Sequence, residues 1–313
     1  MVQNVSRKII NEFVFTGFDA LENPIAVGIV ILTVYILVVL ANLTNICLVV
    51  FDKRLHQPMY IFICNLAIAD MLYSTCSCPT TIGILIVGYK TISYVPCIFQ
   101  MFLFSLGFSM QLFTITAMAF DRLIAIVKPL HYHSILTNVH SILLTFLLWI
   151  LGFAVSAYMP GTVVPLPVCS LAIKYIFCDY PAVVRATCAD PNPYFDLISS
   201  LSSFLMFGTF SFICLSYLKI VIVVVKMTSK GSKKKVFHTC LSHLLVIICY
   251  YGPTFVLIIL TRLGVSLSLE ERNGLRVGVI LGPSLVNPFI YSLRSKEIRN
   301  KILSIVLNVE PTE

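Results

Sequence analysis

The sequence predicts an all-α membrane protein, a seven-transmembrane helix bundle with a short amphipathic C-terminal helix. Three observations predict it. The chain of 313 residues is 58% hydrophobic and only 12% charged, against about 25% charged residues in ordinary soluble domains. Its mean hydropathy is +0.94. Its apolar residues fall into long runs between polar breaks, near the roughly 20 residues that cross a bilayer. This composition argues against a soluble enzyme, and against disorder, which needs low hydrophobicity.

Residues 1–24 are expected to form an extracellular N-terminus. They contain no apolar run and cleavage site of the kind a removable signal peptide needs, so the first span must target the chain. Seven spans follow, over residues 25–50, 60–80, 98–127, 141–160, 197–225, 238–261 and 274–293. The second, third and seventh are the least uniform, carrying Asp70, Gln111 and Asn287, as helices that face a bundle interior do. Glu12, Asp19 and Glu22 precede the first span and Lys53 and Arg54 follow it, which places the N-terminus outside by the positive-inside rule. Asn4-Val5-Ser6 is then an outward-facing glycosylation acceptor, whereas Asn42-Leu43-Thr44 is unreachable inside the first span. The long loop 161–194 and a basic stretch after span five interrupt otherwise short connections, and no long-period repeat or second domain is visible. Residues 294–313 form a cytoplasmic tail, of which 296–307 can lie as an amphipathic helix on the membrane surface; with no Cys, that helix cannot be palmitoylated.

Of 11 cysteines, Cys97, Cys169, Cys178 and Cys188 fall outside in this topology. Four cysteines in an oxidising compartment allow three pairings, among which sequence alone does not choose. Zinc binding is disfavoured because no Cys-x2-Cys or His spacing is present. The other seven lie in or at the inner ends of spans, where Cys is a small buried residue.

The polar residues within the spans are the candidates for function. Asp70 lies mid-membrane, where a carboxylate costs at least about 2.5–3.5 kcal/mol and marks an interior role; it reads as a hydrogen-bond hub with Asn42 and Asn287, which can also be a switch. Asp121-Arg122 ends span three, either as a switch or as snorkelling interface charges. Pro288, next to Asn287, breaks the backbone ladder of span seven and frees carbonyls that need partners. Trp149 anchors span four. Lys230 and the run Lys233-Lys234-Lys235 read first as a stop-transfer cluster attracting anionic lipid and second as a G-protein contact.

Taken together, these residues resemble the rhodopsin-like G-protein-coupled receptors, and longer strings resemble the olfactory receptors among them. They are Pro58-Met59-Tyr60 leading to Asn65-Leu66-Ala67-Ile68-Ala69-Asp70, Met118-Ala119-Phe120-Asp121-Arg122 followed by Lys128-Pro129-Leu130-His131-Tyr132, and Ser216-Tyr217. Thr239-Cys240-Leu241-Ser242-His243-Leu244, Tyr251-Gly252 and Pro288-Phe289-Ile290-Tyr291-Ser292-Leu293-Arg294 complete the set, over residues 11–299. The resemblance implies a receptor that binds a small-molecule odorant in an outer intramembrane pocket and activates a heterotrimeric stimulatory G protein, raising cAMP. It implies that Asp121 holds Arg122 at rest, that Tyr217 and Tyr291 swing inward on activation, and that Cys97 pairs with Cys178 and Cys169 with Cys188. It also implies a multi-pass protein of the plasma membrane, in olfactory sensory neuron cilia. The chain departs from the pattern at Leu123, where Tyr is usual, at His238 and at Pro253. Gln111 stands where many odorant receptors place Glu, so a sodium ion near Asp70, the one candidate cofactor, would have a single carboxylate.

For the ligand pocket, Phe104, Ser105, Phe108 and Ser109 share one helical face below Cys97. Ser202 and Leu205 on span five can face them, with Tyr251, Thr254, Phe255 and Ile258 on span six and Ile280 on span seven. Such a wall is apolar and aromatic with a few hydroxyls, as small-molecule sites are, though each residue could equally be plain helix packing. Arg262 and Arg276 near the mouth either pair with Glu270 and Glu271 or guide an anionic ligand.

A transporter or channel is the main rival from another class, but the internal repeats or several intramembrane charges common to transporters are missing. The metal or nucleophile motifs of an intramembrane hydrolase are missing too, as is a span-seven Lys for retinal. The chain is therefore read as a receptor without enzymatic activity, with a receptor for a small hormone or lipid as runner-up on the strength of Pro253. Its formal charge of +8 divides by this topology into +9 inside, zero outside and Asp70 within the membrane. The basic excess is thus an orientation signal toward G protein and lipid bilayer, not a nucleic-acid footprint.

Overall fold

The computed structural model describes residues 12–17, 21–262 and 268–294, apart from the side chains of 235, 261, 262, 269, 270 and 291–294. In chain order the elements are β1 (Glu12–Phe15), α1 (Pro24–Phe51), α2 (Pro58–Ile82), β2 (Thr91–Ser93), α3 (Tyr94–Val127) and α4 (Tyr132–Ile135). They continue with α5 (Asn138–Val163), β3 (Ala172–Ile173), α6 (Tyr180–Ala186), α7 (Asn192–Lys226), α8 (Lys230–Arg262) and α9 (Leu269–Arg294).

Six of these helices, α1, α2, α3, α5, α7 and α8, are long and apolar enough to cross a membrane. The seventh, α9, packs on α1, α2 and α8. It is more polar because Glu271, Arg272 and Arg276 stand in its first two turns and Asn287 in its interior. The protein is a multi-pass membrane bundle.

Each helix overruns the apolar run that predicted it, because hydrogen bonding continues past the hydrocarbon until something caps the backbone. Proline occupies the first turn of α1 and of α2, where its missing N–H costs nothing. The Thr137 hydroxyl caps α5 by accepting from the His140 N–H. After α2 a single π-turn (Gly83–Val87) runs to Gly88, whose φ of 78° is left-handed and ends the helix. The basic stretch expected after span five is the first turn of α8, which begins at Lys230.

A small sheet was not foreseen. β1 lies between β2, antiparallel to it, and β3, parallel to it. Phe13 and Phe15 point from β1 into a cluster with Cys97, Cys178, Tyr175 and Tyr180. The segment expected to form the extracellular N-terminus is, in its described part, packed onto the loop between α5 and α7.

Burial falls off from the centre outward. In α2 and α3, 61% of the spanning window is buried, against 17% in α1 and in α5. The outer helices expose aliphatic and aromatic side chains such as Phe204, Leu215 and Phe146, a surface that suits lipid rather than water. Asn42 is fully buried, consistent with its sequon being out of reach.

Candidate functional site

At mid-bundle, α2 presents Asp70, fully buried, to four donors. Its Oδ1 accepts from Gln111 Nε2 on α3 at 2.8 Å, Tyr250 Oη on α8 at 2.5 Å and Ser284 Oγ on α9 at 3.4 Å. Its Oδ2 accepts from Asn287 Nδ2 at 2.9 Å. One carboxylate thus joins four helices, and hydrogen bonds to a charged acceptor in a low-dielectric interior are the strong ones. Asn42 belongs to the hub at one remove: its Nδ2 donates to the Ser284 carbonyl at 3.0 Å. That carbonyl lies four residues before Pro288, so it has lost its helical donor. Asn45 Nδ2 reaches the Pro288 carbonyl itself at 3.4 Å.

At the end of α3, Asp121 is buried and Arg122 partly exposed, with Nε and Oδ2 3.9 Å apart. This is charge attraction without a hydrogen bond, since neither atom has a hydrogen-bond partner. Asp121 instead accepts from Tyr132 Oη of α4 at 2.7 Å. Burial and then the Asp121 charge push the Tyr132 phenol well above its ordinary range, so it remains a donor. Tyr217 of α7 does not meet Arg122 in this structure; its hydroxyl lies 2.8 Å from Nδ1 of His243 on α8. The other ring nitrogen of His243 reaches the Ile115 carbonyl of α3 at 3.1 Å. The Tyr291 side chain lies outside the described residues, as do Asn4 and the helix expected at 296–307.

At the opposite end, two disulfides join Cys97 to Cys178 and Cys169 to Cys188. The loop they tie is pinned further by Gln100 of α3. Its Oε1 accepts from the Cys178 N–H at 2.8 Å, while its Nε2 donates to the Cys76 carbonyl and Thr80 hydroxyl of α2. Beneath the loop, Phe104 stacks on Tyr73 with centroids 4.5 Å apart and meets Phe177 at 4.7 Å. Phe108 and Ile280 join that cluster. Next to it, a cavity of ≈ 10 Å³ is lined by Ser77, Thr81, Ile176, Phe177, Val277 and Ile280, about the room of one water.

Seven of the eleven expected pocket residues fall into two groups. Phe104, Phe108 and Ile280 belong to the cluster of Tyr73 and Phe177, while Leu205, Phe255 and Ile258 pack against the larger core that contains Tyr251, and Phe108 touches both. Tyr251 donates to Thr209 Oγ1 at 2.8 Å, and Thr254 turns back onto its own helix at the Tyr250 carbonyl. Ser109 is buried and Ser202 half-buried. Ser105 departs from the expected face: its hydroxyl is 2.9 Å from Met159 Sδ on α5. Arg276 does not pair with Glu271, which caps the start of α9 by accepting from the Ser268 N–H; it pairs with Asp179 in the loop. The side chains of Arg262 and Glu270 lie outside the described residues.

Trp149 of α5 donates to Asn65 Oδ1 at 2.8 Å, and Asn65 in turn donates to Thr114 at 2.6 Å. Three helices are thereby tied through residues of which two, Asn65 in a quoted string and Trp149 as the anchor of span four, were singled out in the sequence. A family model described as olfactory receptor matches residues 31–309. The chain belongs to the olfactory receptor family. It is 34% identical to olfactory receptor 6N1 of Homo sapiens, over 93% of this chain and 93% of that one. It is 33% identical to the olfactory receptor-like protein OLF3 of Canis lupus familiaris, over 93% and 92%, and 32% identical to olfactory receptor 2B6 of Mus musculus, over 97% of each. This olfactory receptor is thus a seven-helix receptor of the G-protein-coupled class, and its family is not one of enzymes.

Sequence reading missed Tyr250, Ser284, Gln100, Tyr73 and the role of His243. His243, Val246, Ile247 and Tyr250 are all buried on one face of α8, and that three-and-four spacing was the available signal. For Gln100 the signal was a polar side chain one turn after Cys97.

Proposed function

We propose that this receptor lies in the plasma membrane of olfactory cilia with its N-terminus outside, binds a small odorant beneath the disulfide-tied loop, and activates a stimulatory G protein. The observation that carries the reading is the course of α3. It presents Phe104 and Phe108 to the aromatic cluster under the loop, Gln111 to Asp70, and Asp121-Arg122 to the far end. A ligand that wedges Phe104 from Tyr73 and Phe177 shifts α3 against α2 and α9, and the Asp70 hub must rearrange because its donors come from three other helices. At the far end, release of Arg122 from Asp121, and of Tyr217 from His243, would bring Arg122 and the two tyrosines Tyr217 and Tyr291 into reach of the G protein. Population shift requires only that the ligand bind one arrangement better than the other. The basic face formed by Lys230, Lys233 and Lys234 suits both anionic lipid and the G protein, and nucleic acid has no part in this reading.

Asn4 is proposed as the glycan site. Sodium is proposed at Asp70, with Asn42 and Asn287 as neighbours: the Oδ1 atoms of both are buried without a hydrogen-bond partner, and hard cations take oxygen ligands. Two orphaned acceptors, one on Asn287, which itself donates to Asp70, and one on Asn42, a residue linked to the hub through Ser284, fit a cation; bound there, it would supply positive charge at the hub.

The test is cell-surface expression with a cAMP reporter against a panel of small odorants. A ligand-dependent rise, abolished by Arg122→Ala with odorant binding retained, is expected. No rise with any odorant in a receptor present at the surface would overturn the reading.

A further inference from the structure

Three guanidinium groups gather on one aromatic ring at the disulfide end. The Cζ atoms of Arg185, Arg272 and Arg276 lie 5.7, 5.6 and 5.1 Å from the centroid of Tyr175. Among the described residues, one carboxylate answers them: Asp179, buried and paired with Arg276. Arg185 spreads over a second ring, Phe195, at 5.0 Å. Arg272 is left with a buried Nε that has no hydrogen-bond partner. Glu271 is occupied by the Ser268 N–H at the start of α9. Among the described residues three cations share one anion, and one of them carries an unsatisfied buried donor, which is costly unless a further acceptor arrives.

What lies below these arginines sets the class of that acceptor. Residues 272, 276, 280 and 284 stand four apart along α9 and so lie along one face. Arg272 and Arg276 meet the Tyr175 ring, Ile280 meets Phe177 and Tyr73, and Ser284 donates to Asp70. The loop residues follow the same gradient: Tyr175 lies against the arginines, and Ile176 and Phe177 line the small cavity with Ile280. From Arg272 to Ile280 the helix rises about 12 Å, from a cationic end to an apolar one. A polyanion would find no second free cation deeper along this face, and a neutral alkane would leave Arg272 unanswered. A single planar carboxylate with an aliphatic tail meets both ends, since guanidinium and carboxylate pair in bidentate fashion.

Building on the odorant-binding reading above, we propose that the ligand is an amphiphilic carboxylate, its head on Arg272 and its tail alongside Ile280, where it parts Phe104 from Phe177 because the cavity beside Phe177 and Ile280 has room for about one water. Arg276, already held by Asp179, positions the Tyr175 ring rather than taking the ligand itself.

The test uses the full-length receptor in nanodiscs of zwitterionic lipid, with thermal stability read near neutral pH against octanoate, methyl octanoate and 1-octanol. Octanoate is expected to raise the melting temperature at lower concentration than the ester or the alcohol. In Arg272→Gln its midpoint concentration should rise at least tenfold, the loss expected for a charge-assisted hydrogen bond; Arg272→Lys should recover part of it. Equal stabilisation of the unaltered receptor by octanoate and its methyl ester overturns the proposal, and needs no variant to fold. An octanoate midpoint unmoved by Arg272→Gln overturns it as well. Because binding is read without the G protein, octanoate binding beside a silent cAMP reporter supports this site while counting against the coupling proposed above.

Discussion

Tyr217 and His243 stand ring to ring between α7 and α8, their centroids 5.8 Å apart and their Oη and Nδ1 atoms 2.8 Å apart. The Ile115 carbonyl can only accept, so His243 Nε2 donates to it, and in the neutral ring Nδ1 is left to accept from Tyr217. One imidazole therefore clamps α8 to both α3 and α7. His243→Leu keeps the volume but removes both bonds, leaving the half-buried Tyr217 hydroxyl only its long 3.5 Å contact to the Cys240 carbonyl, at a cost of about 1–3 kcal/mol. We expect a lower melting temperature and a basal cAMP level raised severalfold, because the clamp holds Tyr217 away from Arg122. Basal cAMP at the unaltered level in a variant with normal surface expression would refute the clamp.

The hub makes a second prediction. Both oxygens of Asp70 only accept; Gln111, Tyr250 and Asn287 donate to them, and Ser284 shares its one hydroxyl proton between Asp70 and the Ile280 carbonyl. In Asp70→Asn one oxygen becomes an NH2 group, which must face either Asn287 or the donors of Gln111, Tyr250 and Ser284. A donor against a donor breaks at least one bond and weakens the others by removing the charge, about 1–3 kcal/mol. The variant should unfold several degrees earlier than the unaltered receptor. With sodium at the hub, the unaltered receptor is expected to be stabilised by sodium chloride over choline chloride, and the variant to lose that stabilisation. Equal melting temperatures in both salts for the unaltered receptor would remove sodium from the account.

The bundle was legible in the sequence because hydropathy runs and span length are set by the bilayer, not by tertiary detail. Asp70, Asn287 and Arg122 were legible because a polar group in hydrocarbon must have a reason to be there. Their partners were less so. Tyr250 and Tyr251 are adjacent, and only helix phase decides that Tyr250 reaches Asp70 while Tyr251 turns to Thr209. Asp179 lies 97 positions from Arg276, and no local pattern links a loop carboxylate to a helix reached only after α6, α7 and α8. The sheet escaped notice because strands of two to four residues are too short for alternation to stand out. Nor did composition reveal that Phe104 and Ser105, neighbours on α3, face Tyr73 and Met159 on different helices.

Close approach of α2 and α3 yields a third prediction. A Cβ added at Gly107 would lie 2.9 Å from the backbone of Tyr73, and backbone cannot swing aside as a long side chain can. Gly107→Ala must therefore push the two helices apart, with an overpacking cost of about 1–3 kcal/mol. The displacement falls one turn from Phe104, so the Tyr73–Phe104 stack loosens with it. We expect a reduced melting temperature together with a weakened odorant response in the receptor that reaches the surface. Gly208→Ala serves as the control, since its Cβ would meet nothing within 4 Å; an equal loss in both variants would mean that helix separation is not the cause.

Gln100 supplies the last prediction, and it separates the covalent from the non-covalent fastening of the loop. The Cys97–Cys178 bond closes a separation of 81 residues and Cys169–Cys188 one of 19, worth about 4.5 and about 3 kcal/mol in the chain-entropy model. Loss of either by Cys→Ser should cut surface expression, the longer closure more severely. Those bonds fix where the loop is tied but not how it lies. Its height over α2 depends on Gln100, which accepts from the Cys178 N–H and donates to α2. Gln100→Leu leaves both disulfides intact and strands a buried backbone N–H, so it should lower the melting temperature modestly and raise the odorant concentration for half-maximal cAMP by about tenfold, the effect of 1.4 kcal/mol. Gln100→Glu keeps the acceptor for Cys178 and loses the donors to α2, so it should fall between the two. If Gln100→Leu responds like the unaltered receptor, the disulfides alone seat the loop over Phe104 and Phe177.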